Sequence, residues 1–91
     1  MKKTSKLAVK FAGNAWEDYV YWQTHDKKQL KRINQLISDI RRNPFTGLGK
    51  PEALKGDLSG FWSRRIDREH RLVYTVLNGD LVVVQCRYHY G

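Results

Sequence analysis

Asn78-Gly79 separates two runs rich in Val, Leu and Tyr, His70–Leu77 and Leu81–His89. Both turn residues tolerate positive φ, so the pair predicts a tight hairpin between antiparallel strands. A third strand is expected at Phe61–Asp67. Upstream the hydrophobic period changes. Leu30, Ile33, Leu36, Ile37 and Ile40 recur at helical spacing, with Lys27, Lys28, Lys31, Arg32 and Asp39 on the facing positions. Asp26 with Gln29 three residues on has the pattern of a capping box, and Asn43-Pro44 stops the helix. An earlier helix after Gly13-Asn14, Ala15 to His25, is expected to carry a stripe of Trp16, Tyr19, Val20 and Gln23. Leu7, Val9 and Phe11 alternate with Ala8 and Lys10 as in a short half-buried strand. The expected architecture is α+β: an N-terminal strand, two amphipathic helices, then antiparallel strands forming a sheet with the helices on one face. The 91 residues suit a single domain, 1–91.

Charge narrows the function. Seventeen Lys and Arg against nine Asp and Glu give a formal +8, which points to a polyanionic partner. One cysteine, Cys86, excludes an internal disulfide and cannot build a zinc site with the scattered His25, His70 and His89. This fits a reducing cytoplasm. No apolar run approaches the length of a membrane span, and the basic start is followed by too short an apolar stretch for a secretion signal. No membrane partner is expected.

Gly47-Leu48-Gly49-Lys50 superficially suggests a nucleotide loop, but Pro44 and Pro51 occupy positions where a P-loop needs Gly and Ser or Thr. No nucleotide cofactor is expected. The stretch from Phe45 to Gly60 shows no periodicity and reads as a long functional loop. Arg64, Arg65, Arg68, Arg71 and Arg87 interleave with Phe61, Trp62, Tyr74, Tyr88 and Tyr90. Guanidinium groups grip phosphate and aromatic faces stack on unpaired bases, a combination suited to single-stranded nucleic acid. On this reading Arg64 and Tyr88 contact substrate. The alternative is a solvated strand face with ordinary core aromatics. Cleaving RNA by internal attack needs a base for the 2′-OH proton, an acid for the 5′-oxygen and cations at phosphorus. Glu52, the arginines and His89 supply all three types without a metal.

The runs Arg42-Asn43-Pro44-Phe45, Gly49-Lys50-Pro51-Glu52, Leu54-Lys55, Leu58-Ser59-Gly60-Phe61-Trp62-Ser63-Arg64-Arg65-Ile66, His70-Arg71-Leu72-Val73-Tyr74 and Cys86-Arg87-Tyr88-His89-Tyr90 follow one another in order. With Trp16-Glu17-Asp18-Tyr19 and Tyr21-Trp22-Gln23 they resemble the Txe/YoeB-type toxins of the RelE superfamily over nearly the whole chain. The resemblance implies a ribosome-dependent endoribonuclease that cuts mRNA in the decoding site. It implies neutralisation by a cognate acidic antitoxin of the YefM/Phd type, and it leaves monomer and homodimer both open. It assigns Glu52 as general base, His89 as general acid, Arg71 helped by Arg65 as stabiliser of phosphate charge, Tyr90 as a substrate-holding group and Lys55 as a substrate contact. The ends depart from the pattern: several residues precede the first strand, and Gly91 follows Tyr90, moving the terminal carboxylate. The rival class is a non-catalytic basic module that binds RNA or an acidic protein on the same fold. A DNA-binding regulator fits less well, because no helix combines a turn motif with a base-reading face.

One geometric demand follows. A strict two-residue turn pairs Arg71 with Cys86 and puts Arg71 and His89 on opposite faces. A shared site therefore requires a longer turn, a bulge, or a His89 beyond the regular strand. The remaining residues have plainer readings. His70 is structural, His25 sits exposed at a helix end, Cys86 is a small buried hydrophobe, and Trp16 and Trp22 pack helix against sheet. Trp62 belongs to the core or to a subunit contact. The Lys27-Lys28-Lys31-Arg32 face is either solvated or a contact for ribosomal RNA. At least one arginine of the strand cluster is expected to be an ion-pair partner, with Asp67 or Glu69 as candidates.

Overall fold

The structure is a computed structural model and describes residues 6–88. His89 and Tyr90 lie outside the described residues. Strand β1 (Ala8–Phe11) leads into helices α1 (Ala15–His25) and α2 (Lys27–Arg42), followed by β2 (Glu52–Ala53), β3 (Trp62–Arg65), β4 (Arg71–Leu77) and β5 (Asp80–Gln85). The five strands form one sheet in the order β1-β5-β4-β3-β2, antiparallel except for β1 against β5. Ile33, Leu36 and Ile40 of α2 are buried with Ala15 and Trp22 of α1 against Leu72, Tyr74, Leu81 and Val83 of the central strands. This is the expected α+β arrangement.

Several local expectations are corrected. In α1 the buried stripe is Ala15 and Trp22 with half-buried Tyr19, because a small residue leads it. Trp16, 55% exposed, lies beside Phe11 and Tyr19 on the flank, and Val20 and Gln23 are exposed. Asp26 caps α2 by accepting the Lys28 and Gln29 N–H groups, but the Gln29 side chain does not complete the capping box. It donates instead to Asp67, 38 residues away, at 2.6 Å. The stretch from Phe45 to Gly60 is not wholly irregular: β2 pairs with β3, and a 3₁₀ turn follows at Gly56–Leu58. A two-residue strand is too short to show a period.

The hairpin is the tight turn expected, with Leu77 opposite Asp80 and positive φ at Asn78 (53°) and Gly79 (80°). Further along, Tyr74 pairs with Val83 but Val73 pairs with Gln85, so Val84 is an extra residue and the ladder bulges there. Strict alternation would send Gln85 into the core. The bulge sends Cys86 there instead, fully buried. The ladder ends at Gln85, and residues 86–88 belong to no strand.

Candidate active site

The site begins with the loop after α2. Gly47 (φ +120°) and Gly49 (φ +80°) let this loop lie directly on α2 and β3; a Cβ at Gly47 would run into the Asp39 carboxylate, and one at Gly49 would come within 2.9 Å of Leu36. Under the loop lies Arg64, whose side chain is completely buried. Its guanidinium donates to Asp39 Oδ2 (2.6 Å), to the Leu48, Asn43 and Thr46 carbonyls (3.0, 2.5 and 2.9 Å) and to the Tyr74 hydroxyl (3.2 Å). The Tyr74 hydroxyl in turn donates to the Pro44 carbonyl at 2.7 Å. Arg64 therefore ties the loop to α2 and β4 from inside and cannot reach a substrate, which corrects its expected role. Asp39, expected on the α2 positions facing away from the apolar stripe, is half-buried as its counter-charge. Burial works to raise the Asp39 pKa, but the hydrogen bonds from Arg64 and from the Leu48 N–H outweigh it and hold the carboxyl below its ordinary value.

The loop is stitched to β3 where the Arg65 N–H donates to the Gly49 carbonyl at 2.7 Å. Lys50 follows at φ 54°, a left-handed conformation unfavourable for a side-chain-bearing residue. It feeds Pro51 and then Glu52 on β2. Glu52 is thus a strand residue rather than a loop residue. It pairs with Ser63, and Arg65, two residues beyond Ser63 on the same face, pairs with Arg71 on β4. Two inter-strand spacings and a two-residue offset put the Glu52 and Arg71 Cα atoms about 12 Å apart. Long side chains converge across that gap. Lys50, Pro51, Glu52, Ser63, Arg65 and Arg71 line one open cleft of about 460 Å³.

Three cations face one carboxylate in this cleft, and Arg65 and Arg71 stand directly across from each other. Like charges so placed repel, an arrangement suited to an anion between them. Neither arginine pairs with Asp67 or Glu69. Among the described residues the cluster's ion pair is instead Arg64 with Asp39, because Asp67 is occupied otherwise: its carboxylate accepts the Glu69 and His70 N–H groups and the Gln29 amide. Burial works to raise the Asp67 pKa, and these bonds overcome it and lower it. Arg71 Nη1 instead donates to main-chain carbonyls of this turn, Asp67 at 2.8 Å and His70 at 3.2 Å, which aims the guanidinium.

The remaining candidates are spread around the cleft. Lys55 is exposed, past β2 and outside the cleft walls. Tyr88 is 53% exposed, and the Arg87 guanidinium lies between the Tyr88 and Tyr21 rings, 4.5 and 3.5 Å from their centroids. The Arg71 N–H donates to the Tyr88 carbonyl at 3.0 Å, so the peptide leading to His89 is held beside Arg71. His70 is buried. Cys86 is likewise buried, and burial, with Asp18 nearby, pushes its thiol up to about 12, far from a nucleophile's range. Sequence reasoning did not single out Lys50 or Ser63 as site residues. Their signal lay in the Lys50-Pro51-Glu52 string and in the period of two linking Ser63 to Arg65.

An N-terminal strand, two helices and a mostly antiparallel sheet with the helices on one face is the fold of RelE-like toxins. The model of the YoeB-like toxin of bacterial type II toxin–antitoxin systems matches residues 11–90, and the chain belongs to that family. It is 61% identical to a Toxin YoeB of Streptomyces coelicolor over 92% of this chain and all of the relative. It is 62% identical to Toxin YoeB of Escherichia coli K12 over 84% of this chain and 90% of that one. Among solved structures, a YoeB/ParE toxin from Agrobacterium tumefaciens superposes with a TM-score of 0.90 at 49% identity, covering 92% of this chain and all of that one. Toxin in a YoeB–YefM complex from Staphylococcus aureus gives 0.85 at 49%, covering 93% and 99%.

Proposed function

We propose that this toxin is an endoribonuclease that cuts mRNA in the ribosomal decoding site. The observation that carries the reading is the convergence of Glu52, Arg65 and Arg71 on one cleft, with the peptide that leads into His89 hydrogen-bonded to Arg71. Glu52 takes the proton of a substrate 2′-OH, whose oxygen attacks the adjacent phosphorus. Arg71 and Arg65 stabilise the added negative charge on the non-bridging oxygens. His89 donates a proton to the departing 5′-oxygen, leaving a 2′,3′-cyclic phosphate and a 5′-hydroxyl. Tyr90 holds the flanking nucleotide, and Lys55 and Tyr88 lie where they can meet the strand beyond the cleft. Side chains perform both proton transfers, so no step calls for a metal.

The site of action is cytoplasmic, where translated mRNA is found. The +8 chain is held inactive by an acidic antitoxin, in keeping with the YoeB–YefM complexes of a relative that is about half identical. A solved YoeB dimer, 50% identical, makes a homodimer the expected free form. The test is to replace Glu52, Arg71 and His89 singly and map cuts by primer extension on ribosome-loaded and on free mRNA. Each change is expected to lower cleavage of loaded mRNA by at least about a hundredfold, the scale of a lost acid, base or oxyanion donor. Cleavage at the wild-type rate in all three variants would overturn the assignment.

A further inference from the structure

Residues 86–88 lie beyond the last ladder pair, yet their main-chain polar groups, the Arg87 N–H apart, are all engaged. The Cys86 N–H donates to Asp18 Oδ2 (3.0 Å), and the Trp22 indole N–H donates to the Cys86 carbonyl (2.8 Å). The Gln85 amide donates to the Arg87 and Tyr88 carbonyls (2.9 and 3.2 Å). The Tyr88 N–H donates to His70 Nδ1 at 2.7 Å. Irregular backbone gains a fixed course only from such partners. Tyr88 needs one most, since its φ of 65° is a conformation that L side chains rarely adopt.

His70 is built to be that partner. Its own N–H is bonded to Asp67 Oδ1 at 2.7 Å, and its buried ring packs edge-on against Trp22, centroids 4.9 Å apart. Backbone and ring are therefore both fixed. Because Nδ1 accepts a main-chain N–H it carries no proton, which places the proton of the neutral ring on Nε2, facing Glu69 Oε1 at 3.7 Å. His70 directly precedes Arg71, so one turn braced by Asp67 sets the Arg71 guanidinium and the Tyr88 peptide together.

We propose that His70 is a positioning residue: by accepting the Tyr88 N–H it fixes the point from which His89 and Tyr90 depart and so keeps the general acid in register with Arg71. This rests on the catalytic reading above. The test uses the full chain and three variants. In H70N an amide oxygen replaces Nδ1; in H70Q a similar polar side chain sets its amide near Nε2; H70L offers no acceptor. Tyr88 amide exchange followed by NMR is expected to accelerate at least about tenfold in H70Q and H70L and to stay near wild type in H70N. Single-turnover cleavage on ribosomes is expected to fall about tenfold to a hundredfold in H70Q and H70L, with half-saturation unchanged, and to recover to within about threefold in H70N. Unaltered Tyr88 exchange in H70Q, or a fall in H70N as deep as in H70Q, would overturn the positioning role even if H70L fails to fold. A wild-type protein that cuts no mRNA would overturn the catalytic reading and the positioning role with it, whereas Tyr88 exchange alone still decides whether the His70 contact forms.

Discussion

Arg64 and Arg65 are neighbours in sequence and share a strand, yet they live in different media. Arg64 has no exposed surface, one ion-pair partner and three carbonyl partners; Arg65 points to the open face beside Arg71. The pleat of β3 alone makes the difference, sending successive side chains to opposite faces. Inside, a guanidinium fastens loop to helix with its full set of donors. Outside, the same group faces a like charge and is available to an anion. Buried charge thus serves architecture here and exposed charge serves binding, and the residue type discloses neither.

The sharpest attack on this contrast is R64M. It removes the buried cation while filling much of its volume, and it strands the Asp39 carboxylate and the Asn43, Thr46 and Leu48 carbonyls. A loss of about 3–5 kcal/mol is expected, a drop in Tm of at least about 12 °C for a domain of this size. A thermal midpoint within about 2 °C of wild type would show that the internal tie does little. R65A should do the reverse. Ribosome-dependent cleavage falls about a hundredfold while stability moves by no more than about 0.5 kcal/mol. If R65A melts as early as R64M, the inside–outside distinction collapses. The smallest effect concerns acid. The folded Asp39 pKa is lowered, so the stability from its ionised form is fully present above the unfolded value near 4 and is lost as pH falls through the folded value. Asp67, also lowered, behaves the same way. Urea unfolding of wild type should therefore weaken below about pH 4, with a shallower slope in R64M, where Asp39 has lost its cation. Identical slopes would remove Arg64 as the cause.

What was legible in the sequence follows the same logic of period and partner. The α2 stripe and the Asn78-Gly79 turn were readable because each repeats a local rule several times or satisfies it sharply. The α1 stripe was misread because weight went to the large side chains, Trp16 and Val20, when the helix approaches the sheet through small Ala15. β2 left no trace, since two residues cannot display alternation. Gln29 and Asp39 found partners far along the chain, and no local pattern announces such a contact. For the site, Glu52, Arg65 and Arg71 were found through the family resemblance, and the structure brings them to one cleft. The burial of Arg64 was readable in principle, because Trp62, Arg64 and Ile66 fall on one side of a strand. Functional logic required a bulge, a longer turn or an acid past the strand; it did not locate the extra residue at Val84, which depends on how Cys86 fits the core.

That extra residue governs the direction of β5 and leaves unchanged which of its side chains face the core. Removing Val84 would let the ladder run straight while Gln85 stayed opposite Val73 and Cys86 stayed inward, so the extra residue supplies the local bend and added twist. Loss of that residue is therefore expected to redirect the segment leaving β5 while sparing the packed interior.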